Sequence, residues 1–391
     1  MSVILEPLHP RYQASYPALT RQWLQDAIGD VLARIDAMLP RFSHTFPAAS
    51  AEHGRYLPVA KVDWTEGFWT GLLWLAWEVT GAEKYRQAAE TLLDSFAQRL
   101  DQQIKVDTHD LGFLYLLSCV NAWKLTANQP ARELALRAAG LLYRRFDHTA
   151  GVIQAWGDLT DPARQGRMII DCNLNLPLLF WAANETGNLQ WRQAATRHLQ
   201  QAARYLVRSD ASTFHTFYMD IHSGQPLRGD THQGFSDDSC WSRGQAWGIY
   251  GFALGFNYTG DTRLPELARK LSHYFLNRLP EDYICYWDLI FTPQDHALRD
   301  TSAAAIAVCG LSELLRQLPL SDTLRPAYQH AISMMMRNLH QHYFVREEDG
   351  LLREGVYNYG RNMGINQPNL WGDYFYFEAL VRLSRIWTPY W

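Results

Sequence analysis

A short motif recurs along this chain and restricts the folds open to it. VTGAEKYRQAA (79–89), LTANQPARELA (125–135), ETGNLQWRQAA (185–195) and YTGDTRLPELA (258–268) share one pattern. Each has a Thr, usually a Gly, one or two polar residues, and then an Ala-containing helical stretch. LPLSDTLRPAYQHA (318–331) is a looser fifth copy. The Gly suits the position just past a helix end, where positive φ is needed. The polar residues after it restart a helix. Each copy therefore reads as a tight turn between two helices.

The two sides of each turn differ. The segments before it, such as LGFLYLLSCV, LPLLFWAA and AWGIYGFALGF, are apolar nearly all round. Those after it, such as KYRQAAETLLDSFAQRL, are amphipathic. A helix apolar on every side is buried, and an amphipathic one lies on the outside. Inner helices are expected over 68–79, 111–125, 175–185, 241–258, 301–317 and 372–387, with an outer helix paired to each. Helical hairpins repeating at about 45–75 residues indicate one stacked or closed array. Six inner and six outer helices predict an all-α (α/α)6 barrel. It forms a single catalytic domain over 1–391, with residues 1–17 as an N-terminal extension. Short hairpins are expected only in 208–232 and 280–298.

Turns leaving the inner helices are short, whereas connections entering them are long. The long ones cover 61–69, 106–110, 153–173, 214–247, 286–304 and 356–375, and they are rich in Trp, His, Asp, Arg and Gln. An up–down array opens all six at one end, so this mouth is where a site is expected.

Bulk properties exclude several classes. A net charge of −4 gives no basic footprint for nucleic acid. The five cysteines, Cys119, Cys172, Cys240, Cys285 and Cys309, form no C-x-x-C pair and mostly sit in apolar runs. They read as reduced core thiols. The N-terminus lacks a signal-peptide pattern, and no apolar run of about 18 residues marks a membrane span. The expectation is a cytoplasmic protein without membrane attachment. Aromatic content is 13%, including 15 Trp. This suits either dense core packing or a cleft walled by flat rings.

Candidate chemistry lies in three stretches. In VDTHDLGFLYLLS (106–118), Asp110 opens a buried helix, as an N-cap or as a catalytic acid. In RMIIDCNLNLPLLFW (167–181), Pro177 places the helix start near Leu176, with Asn175 or Asn173 as the natural cap. Asp171 then precedes the cap among apolar residues, where desolvation raises a carboxyl pKa toward that of a general acid. In QGFSDDSCWSRGQAW (233–247), Arg243 near an inner-helix start either pairs with an acid or grips an anionic ligand. His215 and His232 are candidates for hydrogen bonds to sugar hydroxyls. No spacing suits zinc, nucleotide loops or a serine-hydrolase elbow. No metal and no cofactor are expected. Carboxylate acid/base chemistry on an anionic carbohydrate is what remains.

The segments HDLGFLY, IIDCNLNLPLLFWA and THQGFSDDSCWSRGQAWGIYGFA resemble glycoside hydrolase family 88, the unsaturated glucuronyl hydrolases. WTEGFWTG and WGDYFYFEAL fit the same family, and the resemblance spans about residues 60–380. It implies Asp171 as general acid/base and Asp110 as its essential neighbour. It also implies sugar or carboxylate contacts from His215, Gln233 and Arg243, in a cleft of Trp64, Trp156, Trp241 and Trp247. The implied reaction removes a 4,5-unsaturated uronic acid from the non-reducing end of lyase-generated oligosaccharides. It proceeds by hydration of the C4=C5 enol ether, and the partner is an unsaturated uronic-acid oligosaccharide of glycosaminoglycan type.

Some relatives accommodate sulfated substrates with Ser and Lys in the loop before the last helix. Here YNYGRNMGINQPNLWGD has only Arg361, which points toward unsulfated or weakly sulfated substrates. Tyr357 or Tyr359 is a candidate stacking ring in that loop. Alternatives are an unsaturated rhamnogalacturonyl hydrolase acting on pectin fragments, a sugar epimerase, or a non-catalytic sugar-binding protein on the same fold.

Overall fold

The computed structural model describes residues 3–59 and 63–391. Lys61 and Val62, in the first of the long loops, lie outside the described residues. The architecture is the (α/α)6 barrel. The inner helices are Glu66–Thr80, the segment Leu111–Tyr115 continued by a π-turn and Asn121–Thr126, Leu176–Thr186, Ser242–Thr259, Thr301–Gln317 and Leu370–Ser384. Each packs on the next, and the last returns to the first, closing the ring. The third and fourth meet largely through the 3-10 turn Ile170–Leu174.

The outer layer is Arg21–Phe42, Glu83–Thr91 with Leu93–Asp101, Gln129–Arg144, Leu189–Tyr205, Arg263–Asn277 and Arg325–Asn338. The tight turns take the expected form. Gly81, Gly187 and Gly260 adopt φ of 70°, 73° and 69°, while Ala127 fills the same role at 56°. The N-terminal segment is docked. The Tyr12 hydroxyl donates to Leu276 O at 2.7 Å, and Glu6 pairs with Arg278 at 3.0 Å, tying it to an outer helix.

Strands are few and gather at the mouth. Thr216–Met219 and Pro226–Asp230 form the hairpin expected within 208–232, and Arg167–Ile169 joins it as a third strand. The second expected hairpin does not form: 280–298 contributes only isolated bridges, Tyr286 to Arg299 and Trp241 to Asp288. An unforeseen hairpin instead joins Gly355–Asn358 to Met363–Gln367. The 280–298 segment turns aside because Asp288 is buried and serves the preceding loop. Its carboxylate accepts from Phe235 N at 2.9 Å, Ser239 Oγ at 2.7 Å and Cys240 N at 3.2 Å.

Two glycines bring the first three inner-helix starts together. A Cβ on Gly67 would stand 2.0 Å from Phe113 O, and one on Gly112 would stand 2.3 Å from Asn175 Cα. Only glycine permits such approach. This crowding sets the spacing of everything carried at that rim.

Candidate active site

Asp110 occupies the position before Leu111, yet its side chain makes no cap hydrogen bond. The cap comes from a neighbouring helix: Phe113 N–H donates to Asn175 Oδ1 at 2.7 Å. Asn175 in turn makes no side-chain cap for its own helix, which starts at Leu176 with Pro177 in the first turn. The Asp110 carboxylate is thereby released for other work. Its Oδ2 accepts from Thr108 Oγ1 at 2.7 Å, and Thr108 Oγ1 accepts Asp110 N–H at 3.1 Å.

Asp171 arrives from the other side. The strand Arg167–Ile169 feeds it into the turn Ile170–Leu174, between the buried Ile170 and Cys172. Its side chain keeps 20% exposure. Between the two acids stands His109, fully buried. Its Nε2 is 3.2 Å from Asp110 Oδ1 and 3.0 Å from Asp171 Oδ1.

The electrostatics separate the acids. Burial by itself would lower the His109 pKa. Asp110 and Asp171 more than reverse this and raise it to about 10, so the ring is an imidazolium near neutrality. Asp110 resists burial through His109 and Thr108 and is held below the usual carboxylate range. For Asp171 burial wins over His109, and the Asp110 charge adds to it, so its pKa rises. Of the two acids, Asp171 is therefore the one that takes up a proton more readily. These three residues also have the donor types and spacing of a metal-ligand set, within 4.8 Å of one another. A metal bound there would have to displace the proton that the two acids stabilise on His109.

A cavity of about 350 Å³ opens over Asp110 and Thr108, walled by Trp64 and Trp156. Trp64 stacks on Trp371 at 5.1 Å and donates Nε1–H to the Tyr357 hydroxyl at 2.8 Å. Tyr357 is thus the loop tyrosine at the cavity, whereas Tyr359 stacks on Trp287 at 4.6 Å and is half exposed. Trp156 lies under the Arg167 guanidinium at 3.6 Å. Trp241 lies against His215 at 4.7 Å. Trp247 is 1% exposed, tilted at 41° to Phe113 and edge-on to Phe375, so it belongs to the packing and not to the cavity lining.

The polar residues of the third stretch are oriented rather than loose. His215 Nδ1 accepts His232 N–H at 2.9 Å, which leaves Nε2 as the donor. Burial, with the charges of His232 and Arg243, drives its pKa well down and keeps it neutral. Arg243 is buried. It donates to Asp300 Oδ2 at 2.8 Å, Val356 O at 2.6 Å, Tyr357 O at 2.7 Å and Gln233 Oε1 at 3.1 Å. It therefore ties the 355–358 strand to the site and turns the Gln233 amide nitrogen outward. Its charge reaches Asp171 as well.

Sequence reasoning left several contributors aside. His109 had a visible signal, an imidazole beside an acid at the start of an apolar run. Trp371, Asp300 and Arg167 act through partners distant in sequence, and nothing local marks them, whereas Asn175 reads as a cap in the sequence but serves the neighbouring helix, not its own.

Residues 34–379 match the family model of Glycosyl Hydrolase Family 88. The chain is 45% identical over 370 residues to an unsaturated glucuronyl hydrolase of Bacillus sp., covering 94% of this chain and 98% of that protein. It is 42% identical to an unsaturated chondroitin disaccharide hydrolase of Streptococcus pneumoniae, covering 96% and 95%. The crystal structure of an unsaturated glucuronyl hydrolase from Streptococcus agalactiae superposes with a TM-score of 0.97 at 41% identity, covering 100% of this chain and 99% of that one. By sequence and by architecture, the chain belongs to glycosyl hydrolase family 88.

Proposed function

We propose that this protein removes the 4,5-unsaturated uronic acid from the non-reducing end of lyase-generated oligosaccharides, with glycosaminoglycan-type disaccharides as substrates. One observation carries the reading. Two carboxylates share one imidazolium, and their environments push their pKa values in opposite directions. Such a split assigns an acid and an anion.

In the proposed reaction protonated Asp171 delivers its proton to C4 of the C4=C5 bond. Positive charge develops at C5 and is shared with the ring oxygen. The Asp171 carboxylate then takes a proton from water as the water oxygen bonds to C5. The hemiketal opens, C1 becomes an aldehyde, and the second sugar leaves with its hydroxyl. Asp171 ends protonated, ready for another turnover, as one group serving as acid and then base. Asp110 stays ionised throughout, favouring the developing charge at C5. His109 holds the two acids in place.

His215 Nε2–H and the Gln233 amide are oriented donors for sugar hydroxyls or the carboxylate, with Arg243 fixing Gln233 and adding positive charge. Trp64, Trp156 and Trp241 provide ring faces, with Trp247 packed behind them. We further propose that the chain is one catalytic domain acting in the cytoplasm without nucleic-acid partners. Five buried free thiols and a net charge of −4 support that reading. No helix among the described residues is long and apolar enough to cross a membrane.

The test follows the ultraviolet absorbance of the conjugated double bond. The wild-type protein should abolish it with an unsaturated chondroitin disaccharide. Asp171→Asn should bind that disaccharide and leave the absorbance intact. Full activity in Asp171→Asn overturns the mechanism. Preference for an unsaturated rhamnogalacturonan disaccharide redirects the substrate assignment.

A further inference from the structure

Outer helices run back toward the mouth, so their last turns end beside the loops that carry the site. Three consecutive outer helices end in an arginine. Arg99 lies in the last turn of Leu93–Asp101, Arg145 caps Gln129–Arg144, and Arg208 closely follows Leu189–Tyr205. A cation at such a place ordinarily answers the terminal carbonyls and dipole of its own helix. None of these three side chains donates to a carbonyl of its own helix.

Each reaches to a mouth loop instead, and each loop carries a tryptophan of the site. Arg99 Nη1 donates to Asp63 O at 2.6 Å, next to Trp64, and its Nη2 to Lys105 O at 3.1 Å. Arg145 Nε donates to Gln154 O at 2.8 Å, and its Nη2 to Ala155 O and, at 2.9 Å, to Gly157 O. Arg208 donates to Asp237 O at 2.7 Å and Ser239 O at 3.0 Å, just ahead of Trp241.

The middle clamp is the most complete. Arg167 Nη2 donates to Trp156 O at 2.7 Å, so the carbonyls of 154, 155, 156 and 157 all face a buried guanidinium. The amides are held as well. Gln154 N–H donates to Arg145 O and Ala155 N–H to Arg167 O, each at 2.8 Å, and Gly157 N–H to Asp107 O at 2.9 Å. Arg145 is 3% exposed and does not line the cavity over Asp110. It reaches the site through the loop.

A guanidinium fork fixes several carbonyls at once, whereas an ammonium is a point donor. A loop ordered before binding loses less freedom when the ligand arrives, and this appears as affinity. We infer that Arg99, Arg145 and Arg208 are positioning residues, one device repeated along the ring. Each holds a mouth loop so that Trp64, Trp156 and Trp241 stand preformed against the substrate. The inference rests on the reading of the site given above.

The test is a cycle of Arg145→Lys, Trp156→Ala and their double variant, with Arg144→Met as control. Lys keeps the charge near Asp107 and Asp110 and loses the fork. Arg144 is the exposed neighbour. With an unsaturated chondroitin disaccharide, Arg145→Lys should raise KM by about tenfold and leave kcat within about twofold. Arg144→Met should change neither. In the Trp156→Ala background, Arg145→Lys should raise KM no further. An additive increase there, an unchanged KM in the single variant, or a loss of kcat at unchanged KM overturns the role. If Arg145→Lys does not fold, the cycle of Arg208→Lys with Trp241→Ala decides by the same criteria. If wild type turns over no such disaccharide, the functional reading has failed, and hydrogen exchange then decides the positioning separately. The amides of 154, 155 and 157 should exchange about tenfold faster or more in Arg145→Lys than in Arg144→Met, and equal rates overturn it.

Discussion

The two ends of the barrel hold buried charge clusters with the same inventory, two carboxylates and one cation. At the closed end Arg382 donates to Glu313 Oε2 and Glu378 Oε1, each at 2.8 Å, and to the Tyr250 hydroxyl. Glu378 also accepts from Trp391 Nε1 at 2.7 Å, and Glu313 from Asn257 at 2.9 Å. Every charge there is answered by a fixed partner. Among the described residues at the mouth, Asp171 Oδ1 and His109 Nδ1 have no hydrogen-bond partner of good geometry. Asp171 also keeps a fifth of its side chain exposed. A saturated cluster locks helices together, whereas an unsaturated one retains capacity for a proton and a ligand.

Exchanging a partner at each end should expose this difference. The largest effect belongs to Asp171→Asn, expected to cut kcat by about 10³-fold or more with little change in unfolding free energy. Steady-state decay of the double-bond absorbance and urea unfolding check both halves. Next is Arg382→Met at the closed end. It strands two buried carboxylates and should cost about 3–5 kcal/mol in urea unfolding. The protein that remains folded should keep its kcat. A large kcat loss in that variant, with stability intact, would dissolve the contrast.

His109→Asn probes the mouth from its centre. The proposed mechanism requires Asp171 protonated and Asp110 ionised, so activity should fall at low pH as Asp110 gains a proton and at high pH as Asp171 loses one. The His109 charge lowers both carboxyl pKa values. Removing it should shift both limbs of the kcat/KM profile to higher pH. Its stability effect has the opposite dependence. The His109 pKa rises from 6.5 to about 10 in the fold, so its contribution is full below 6.5 and is lost as pH climbs through about 10. Urea midpoints at pH 6 and pH 10.5 should therefore differ more in wild type than in His109→Asn. An unmoved activity profile would reduce His109 to a packing residue.

The smallest expected effect is at the rim. Tyr357→Phe removes the acceptor for Trp64 Nε1 and should raise KM a few-fold, worth about 1 kcal/mol. Tyr359→Phe, on a ring stacked against Trp287 away from the cavity, should leave KM unchanged.

The alternation of inner and outer helices was determined by the sequence alone, because a helix apolar on all sides has nowhere to go but the centre. Helix starts at Leu111, Leu176 and Ser242 fall within a residue of expectation, since Pro177 and the boundary of each apolar run are local signals. The long loops at one mouth follow from the same up–down logic. Asp110 and Asp171 were legible as unusual acids for similar reasons, each sitting where burial and charge conflict.

Only the tertiary structure decided how those acids meet. Asn175 caps a helix through Phe113, 62 residues away in sequence, and that borrowed cap frees Asp110. His109 bridges two acids because Gly67 and Gly112 let three helix starts crowd together. Arg243 is held by Asp300 and a hairpin that local β-propensity did not announce. Periodicity fixes which face of a helix turns inward, but the distance between two helix starts depends on what the ring packs between them. Catalytic geometry depends on that distance, so it is legible only in the closed barrel.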